Sequence, residues 1–292
     1  ANSDDHILFN RINDTGMDGT PHLRSNEPDT EATCGTYSAP SGNSVGWVWN
    51  AGTATDTNNT AGSITPTGVR ANTSTGFSIV SYTGTGSNAT VGHGLNSQPS
   101  FIIFKNREAA DNWRAYHNGI TADNCLFLSM NSAASDNVIY YNDTEPTSTV
   151  FSVGTDSGVN QSTKDIIAYC WSEVAGYSKF GSWTNSSGSG LSFVYCGFKP
   201  RFLIGKCTSH AGDWMMYDTE RSPDNQAANS NTLVANVSNA EDGYYNANQA
   251  AVDLLSNGFK IRHNNSSPLG DYSRTYVFCA WAESPFKYSN AR

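Results

Sequence analysis

The stretch P-S-F-I-I-F-K, from Pro99 to Lys105, returns 101 residues later as P-R-F-L-I-G-K, from Pro200 to Lys206. Around it, Tyr82–Tyr116 aligns with Trp183–Tyr217 without a gap, so Trp113-x-x-Tyr116 falls on Trp214-x-x-Tyr217. Each window reads as an apolar strand, a polar turn and an aromatic strand whose side chains alternate between two faces. Self-similarity at a fixed period marks a repeat architecture and constrains the fold before any single motif does.

Two more signatures recur in the same order. One is L-x-x-N with an acid five residues after the Asn: Leu23/Asn26/Glu31, Leu128/Asn131/Asp136 and Leu233/Asn236/Glu241. The other closes each unit: G-W-V-W ending at Trp49, A-Y-C-W at Trp171 and F-C-A-W at Trp281. Three copies follow: a truncated first repeat with linker at 1–74, a second repeat at 75–181 and a third at 182–292. With short strands and frequent turn signals, each complete copy suits a β-sandwich, and the expected fold is all-β, tandem jelly-roll-like sandwiches. Only Asn246–Ser256 carries a helical pattern. The first copy starts at its aromatic strand, His6-Ile7-Leu8-Phe9, and lacks an equivalent of Phe101–Lys105. An unpaired apolar edge is avoided in proteins, so that copy is expected to be completed from outside its own residues. Upstream chain, residues 50–75 folding back, or a neighbouring subunit could supply the strand. Asp4 and Asp5 suit an exposed start and favour the latter two.

Composition narrows the function. Charged residues are 15% of the chain and the net charge is −9, with Lys and Arg scattered singly, so no cationic face for nucleic acid is expected. No apolar run approaches the roughly 18 residues of a membrane span. The chain opens at Ala1 with no Met and no apolar leader, which suits a processed or cut product. The six cysteines form no C-x-x-C pair and are expected to be mostly buried free thiols; Cys196 and Cys207 are the pair best placed to bridge one turn.

Several strings carry a resemblance. G-F-S-I-V-S-Y-T-G (76–84), V-G-H-G-L (91–95), F-I-I-F-K-N-R (101–107) and D-N-W-R-A-Y-H (111–117) are the first of these. A-Y-C-W-S-E-V-A-G-Y-S-K-F-G-S (168–182), G-F-K-P-R-F-L-I (197–204), L-S-N-G-F-K-I-R (255–262) and A-W-A-E-S-P-F-K-Y-S-N-A-R (280–292) continue it. Together they resemble a poorly characterised repeat domain of tail-fibre-like and other virion proteins of marine tailed phages. The likeness covers roughly residues 60–292 and thins before that to V-G-W-V-W-N-A and G-S-I-T. It implies a virion structural protein, a tail fibre or appendage outside the host cell, ending at its natural C-terminus. It brings no catalytic residues, and fold kinship alone gives no chemistry.

Residues repeated in every copy belong to the fold more readily than to one site. By that filter Trp49, Trp113, Trp171, Trp214 and Trp281 are structural anchors, each burying a large aromatic area. The Asn of L-x-x-N is expected to bond its own turn, and its acid to cap that turn, a cation ligand being the alternative. Glu173 and Glu283 suit surface pairs with Lys179 and Lys287 better than a glycosidase carboxylate pair. Non-repeated residues are the better ligand or receptor candidates: His93, His117, and the pairs Tyr140-Tyr141 and Tyr244-Tyr245, set among Asn and Asp as in sugar-binding loops. No nucleophile elbow, zincin or phosphate-loop motif accompanies them, so no enzyme activity and no cofactor are expected, and the metal question stays open. The expected partners are other virion proteins or copies of the chain, as a homo-oligomer with a trimer among the options, and a host-surface glycan. A lectin-like carbohydrate-binding module and a capsid decoration protein are the alternative readings; a polysaccharide depolymerase ranks last.

Overall fold

The computed structural model describes residues 5–10, 12, 22–34, 44–185, 192–223, 225, 232–241, 252–262 and 268–282. The chain divides into an N-terminal unit, Asp5–Met130 with Ser135–Ser172, and a C-terminal unit, Glu173–Arg292 with the loop Asn131–Ala134.

In the N-terminal unit, β1 (Ile7–Leu8) pairs with β2 (Leu23–Arg24), and α1 (Glu31–Cys34) is a single turn. There follow β3 (Gly68–Asn72), β4 (Phe77–Thr83), β5 (Ala89–Gly92), β6 (Pro99–Asn106), β7 (Arg114–His117) and β8 (Asn124–Phe127). The unit ends with β9 (Ser135–Asp136), β10 (Val150–Val153), the one-turn α2 (Ser157–Asn160) and β11 (Asp165–Ser172). One sheet runs β3-β4-β11-β6-β7-β8-β9, and β10-β5 forms a second. The continuous run I-I-A-Y-C-W in β11 is buried on both faces, which suits its central place between β4 and β6. Pro99 stands first in β6, where a missing N–H costs the ladder least. Val80, Tyr82, Ile102, Phe104, Ile166 and Ala168 from the large sheet share one core with Val91, Phe151 and Val153 from the small one. Two sheets face to face over a shared apolar layer make a sandwich.

The C-terminal unit repeats the plan with β12 (Ser178–Thr184), β13 (Phe193–Tyr195), β14 (Pro200–Cys207), β15 (Met215–Asp218), β16 (Leu233–Val234), β17 (Val252–Leu255), β18 (Gly258–Ile261) and β19 (Thr275–Ala282). Its large sheet, β12-β19-β14-β15-β16, mirrors β4-β11-β6-β7-β8, and its small sheet is β13-β18-β17. The registers correspond as well: Phe77 faces Trp171, and Ser178 faces Trp281. The protein is thus all-β, as the repeats predicted.

Several expectations need correction. The boundary after 181 falls inside β12, which pairs along its length with β19, so the break lies at Ser172/Glu173. Residues 5–74 are not a separate domain: β3 extends the large sheet, and Trp49 packs on Phe77 and Trp171. Residues 50–75 do not fold back to complete the first repeat. They supply β3, and Ile64 bridges Val91 of β5 instead. The only described strand paired with β1 is β2. The helical pattern fails too: Val252–Leu255 is strand β17, because Val252 and Leu254 enter the core alternately with Asp253, a period of two; residues 246–251 lie outside the described part. All six cysteines are buried and free, Cys196 and Cys207 included.

Candidate functional site

A lysine ends the apolar strand in both complete repeats, and both lysines are wholly buried. Lys105 Nζ donates to the carbonyls of Pro28 (2.7 Å), Asp111 (2.8 Å) and Ala109 (3.4 Å). Lys206 Nζ donates to the carbonyls of Gly212 (2.7 Å), Ser132 (2.8 Å), Cys207 (2.9 Å) and Asn131 (3.3 Å). Burial lowers each ammonium to about 8, against which Asp111 works at Lys105 and Cys207 and Asp213 at Lys206. Both therefore stay largely protonated at neutral pH. A buried cation is tolerated only when its donors are met, and here carbonyl oxygens meet them, with no carboxylate of the described residues in hydrogen-bond contact.

The carbonyls come from two places. Some belong to the lysine's own hairpin. The others belong to the loop after L-x-x-N in the preceding copy: Pro28 for Lys105, and Asn131 with Ser132 for Lys206. Backbone bonds reinforce each clasp in the same way. Glu31 N–H donates to Arg107 O (2.9 Å), and Ala134 N–H donates to Thr208 O (2.9 Å). Each repeat therefore seats its buried lysine in a loop contributed by the copy before it. In the N-terminal unit, Trp113 adds an indole bond to Arg24 O (2.8 Å), and Arg107 pairs with Glu31.

A polar hook positions that loop. Asn236 Oδ1 accepts from Trp214 N–H (2.8 Å), while its Nδ2 donates to Asp213 (2.7 Å). Asn26 does the same with His6 N–H (3.3 Å) and Asp5 (2.8 Å). In the second copy the hook is Ser129, which accepts from Trp113 N–H (3.3 Å) and donates to Asn112 (3.0 Å). Two corrections follow. The Asn reaches across to the aromatic strand rather than closing its own turn. The second L-x-x-N, at Leu128/Asn131, is displaced by two residues from its structural counterpart, L-x-x-S at Leu126/Ser129. The trailing acids serve ion pairs where a basic residue faces them, Glu31 with Arg107 and Glu241 with Arg221.

The residues singled out as ligand contacts lie elsewhere and are closed off. Tyr141 is 2% exposed with its hydroxyl on Cys125, and Tyr140 is 8% exposed and packs edge-on against Phe127, so neither offers a face to a sugar. His93 and His117 are wholly buried. His93 Nδ1 accepts from Leu95 N–H (3.2 Å), leaving Nε2 to donate to Thr147 O (3.2 Å), and burial lowers its pKa to about 4. His117 Nδ1 accepts from Gly119 N–H (2.9 Å). Both imidazoles hold turns. Tyr244, Tyr245, Glu283 and Lys287 lie outside the described residues, whereas Glu173 pairs with Lys179 at 2.8 Å. Of the tryptophans, Trp113, Trp214, Trp171 and Trp281 are buried, but Trp49 is only half-buried. It stands edge-on to Trp171 at 5.7 Å and packs on Phe77, a half-buried cover over the large sheet and not a core anchor. Among the described residues no group of His, Cys, Asp and Glu is placed to hold a metal.

Neither Lys105 nor Lys206 stands among the site candidates taken from the sequence, although both lie inside the motif that marks the repeat. The signal for them was a cation conserved between copies at the end of an apolar strand.

A family model described as a domain of unknown function (DUF7483) matches residues 11–285. The chain belongs to that family. The match takes in the residues of both lysine clasps. No curated protein and no solved structure matches the chain.

Proposed function

We propose that the chain is a non-catalytic structural protein of a phage virion, a segment of a tail fibre or similar appendage exposed outside the host cell. The observation that carries this reading is the repeated clasp, in which each buried lysine is seated partly by the copy before it. Linking successive copies through buried backbone contacts stabilises an array by nearest-neighbour terms, the energetic logic of extended repeat proteins. The resemblance of the strings at 76–117 and 168–292 to virion repeat domains supplies the location. The receptor-contact part of the reading no longer rests on Tyr140, Tyr141, His93 or His117, all of which are interior.

The test is physical. Antibody raised against the chain should label purified particles of the source virus at a tail appendage, and the protein should co-purify with them at fixed stoichiometry. Its absence from particles, with abundance in infected-cell lysate, would overturn the proposal. Labelling over the whole capsid would favour decoration instead.

A further inference from the structure

Strand β13 differs from its counterpart in the second repeat in a way that marks an interaction edge. Val194 enters the core, while Phe193 and Tyr195 lie on the solvent face, 47% and 65% exposed. Ile261 N–H donates to Ser192 O, and Cys196 N–H donates to Asn257 O, so the residues alternating with Phe193 and Tyr195 bond toward β18. By antiparallel alternation, the N–H and C=O groups of Phe193 and Tyr195 point the other way. On that side no described strand pairs with β13.

The matching positions in the second repeat are Gly92 and Gly94. There the chain itself closes the edge. Ile64 N–H donates to Thr90 O (2.9 Å), and Thr90 N–H donates to Ser63 Oγ (2.9 Å). A Cβ on Gly92 would run into the side chain of Asn59. The edge thus carries glycine where a polypeptide segment covers it, and paired aromatics where none of the described residues does. That substitution is the reverse of how an edge is kept solvated, since exposed edges are ordinarily blunted with Lys, Pro or a bulge.

We propose that the β13 edge pairs with the same edge of a second copy of the chain, forming a two-fold dimer. An axis through Val194 sets Phe193 opposite Tyr195 of the second copy on both sides of the axis. The outward backbone groups are then satisfied, and two cross-strand aromatic pairs form. F-V-Y carries no charge to repel its mate. The second repeat shows that this edge of the fold accepts polypeptide. Because that edge is already closed, the described residues of each copy of the chain offer one open edge of this kind, and a two-fold pairing through it stops at a dimer instead of running on as a filament. A three-residue strand buries far less than the roughly 1,600 Å² of a standard interface, so the dimer is weak and concentration-dependent in solution. This inference deepens the assembly reading but does not need the virion location.

Sedimentation velocity on the full chain across a wide concentration range tests it, with thermal unfolding as a check on folding. The expected result is a mass rising from monomer to dimer with concentration. Tyr195→Lys and the double change Phe193→Gly with Tyr195→Gly, which restores the second repeat's residues, should each weaken dimerisation at least tenfold and leave the melting transition in place. A wild-type chain that stays monomeric, or a dimer as tight in both variants as in wild type, overturns the proposal. Quenching of intrinsic fluorescence by an added neutral polysaccharide, lost in Tyr195→Lys while the chain remains monomeric, also overturns it and assigns the edge to glycan. Absence from virus particles would refute the virion location without touching these outcomes.

Discussion

At the scale of single residues, the buried cations and imidazoles set measurable energies. Lys206→Met would keep the aliphatic stem but strip the donor from a set of buried carbonyls, including those of Ser132 and Gly212. Unmet buried acceptors cost about 1–3 kcal/mol each when water cannot reach them, so a loss of roughly 3 kcal/mol is expected in urea unfolding. A loss under 0.5 kcal/mol would show that the clasp carries no stability. His93 gives a pH signature. Its folded value of about 4 lies below the ordinary 6.5, because burial disfavours the imidazolium. The unfolded chain therefore takes up the proton first. The histidine's contribution is fully present above pH 6.5 and is lost as the pH falls toward 4, by up to about 3 kcal/mol. Stability measured from pH 7 to 4 should fall with that slope, and His93→Gln should flatten it.

At the scale of elements, the hook and the closing strands make separable claims. Asn236 bonds Trp214 N–H and Asp213 in a buried setting, whereas the exposed Asn131 contributes its backbone carbonyl to the clasp. Asn236→Ala should cost about 1–3 kcal/mol and Asn131→Ala less than about 0.5. Equal effects from the two would restore the alignment suggested by the bare L-x-x-N pattern. In β19, Trp281 is 5% exposed and stacks on Phe202 at 5.5 Å. Removing a buried aromatic of this kind leaves a cavity the sheet cannot close, and Trp281→Ala should lose about 3–5 kcal/mol in denaturant titration.

For the whole molecule, the six thiols report on global packing. All are buried and unbridged, and burial pushes Cys125 and Cys196 up to about 12 and raises Cys34, Cys170 and Cys279. Reaction needs the thiolate and access to it. The folded chain should resist an aromatic disulfide reagent at pH 8 and release six equivalents on unfolding, with the same titre before and after reductant. Fewer equivalents without reductant would mean a disulfide forms between these residues.

The sequence by itself determined the all-β class and pointed to the internal repeat, while the sandwich topology stayed open in it. The class and the repeat follow from local patterns: apolar runs in β6 and β14 and the recurring tryptophans, whereas the in-and-out alternation expected of the aromatic strands is absent, since β7 and β15 are buried at every position. A period of two residues and a spacing of 101 are properties of the chain that no contact can alter. Tertiary structure decided what each polar residue does. Tyr140, Tyr141, His93 and His117 looked like loop residues available to a ligand, yet packing closes over them. Nothing in their neighbours along the chain encodes the residues that cover them. Lys105 and Lys206 showed the converse: charged residues usually face water, and only the convergence of carbonyls from a separate loop makes burial tolerable. The hook escaped sequence alignment in the second copy because Ser129 replaces Asn, and the hydrogen bond, not the residue name, is what the fold repeats.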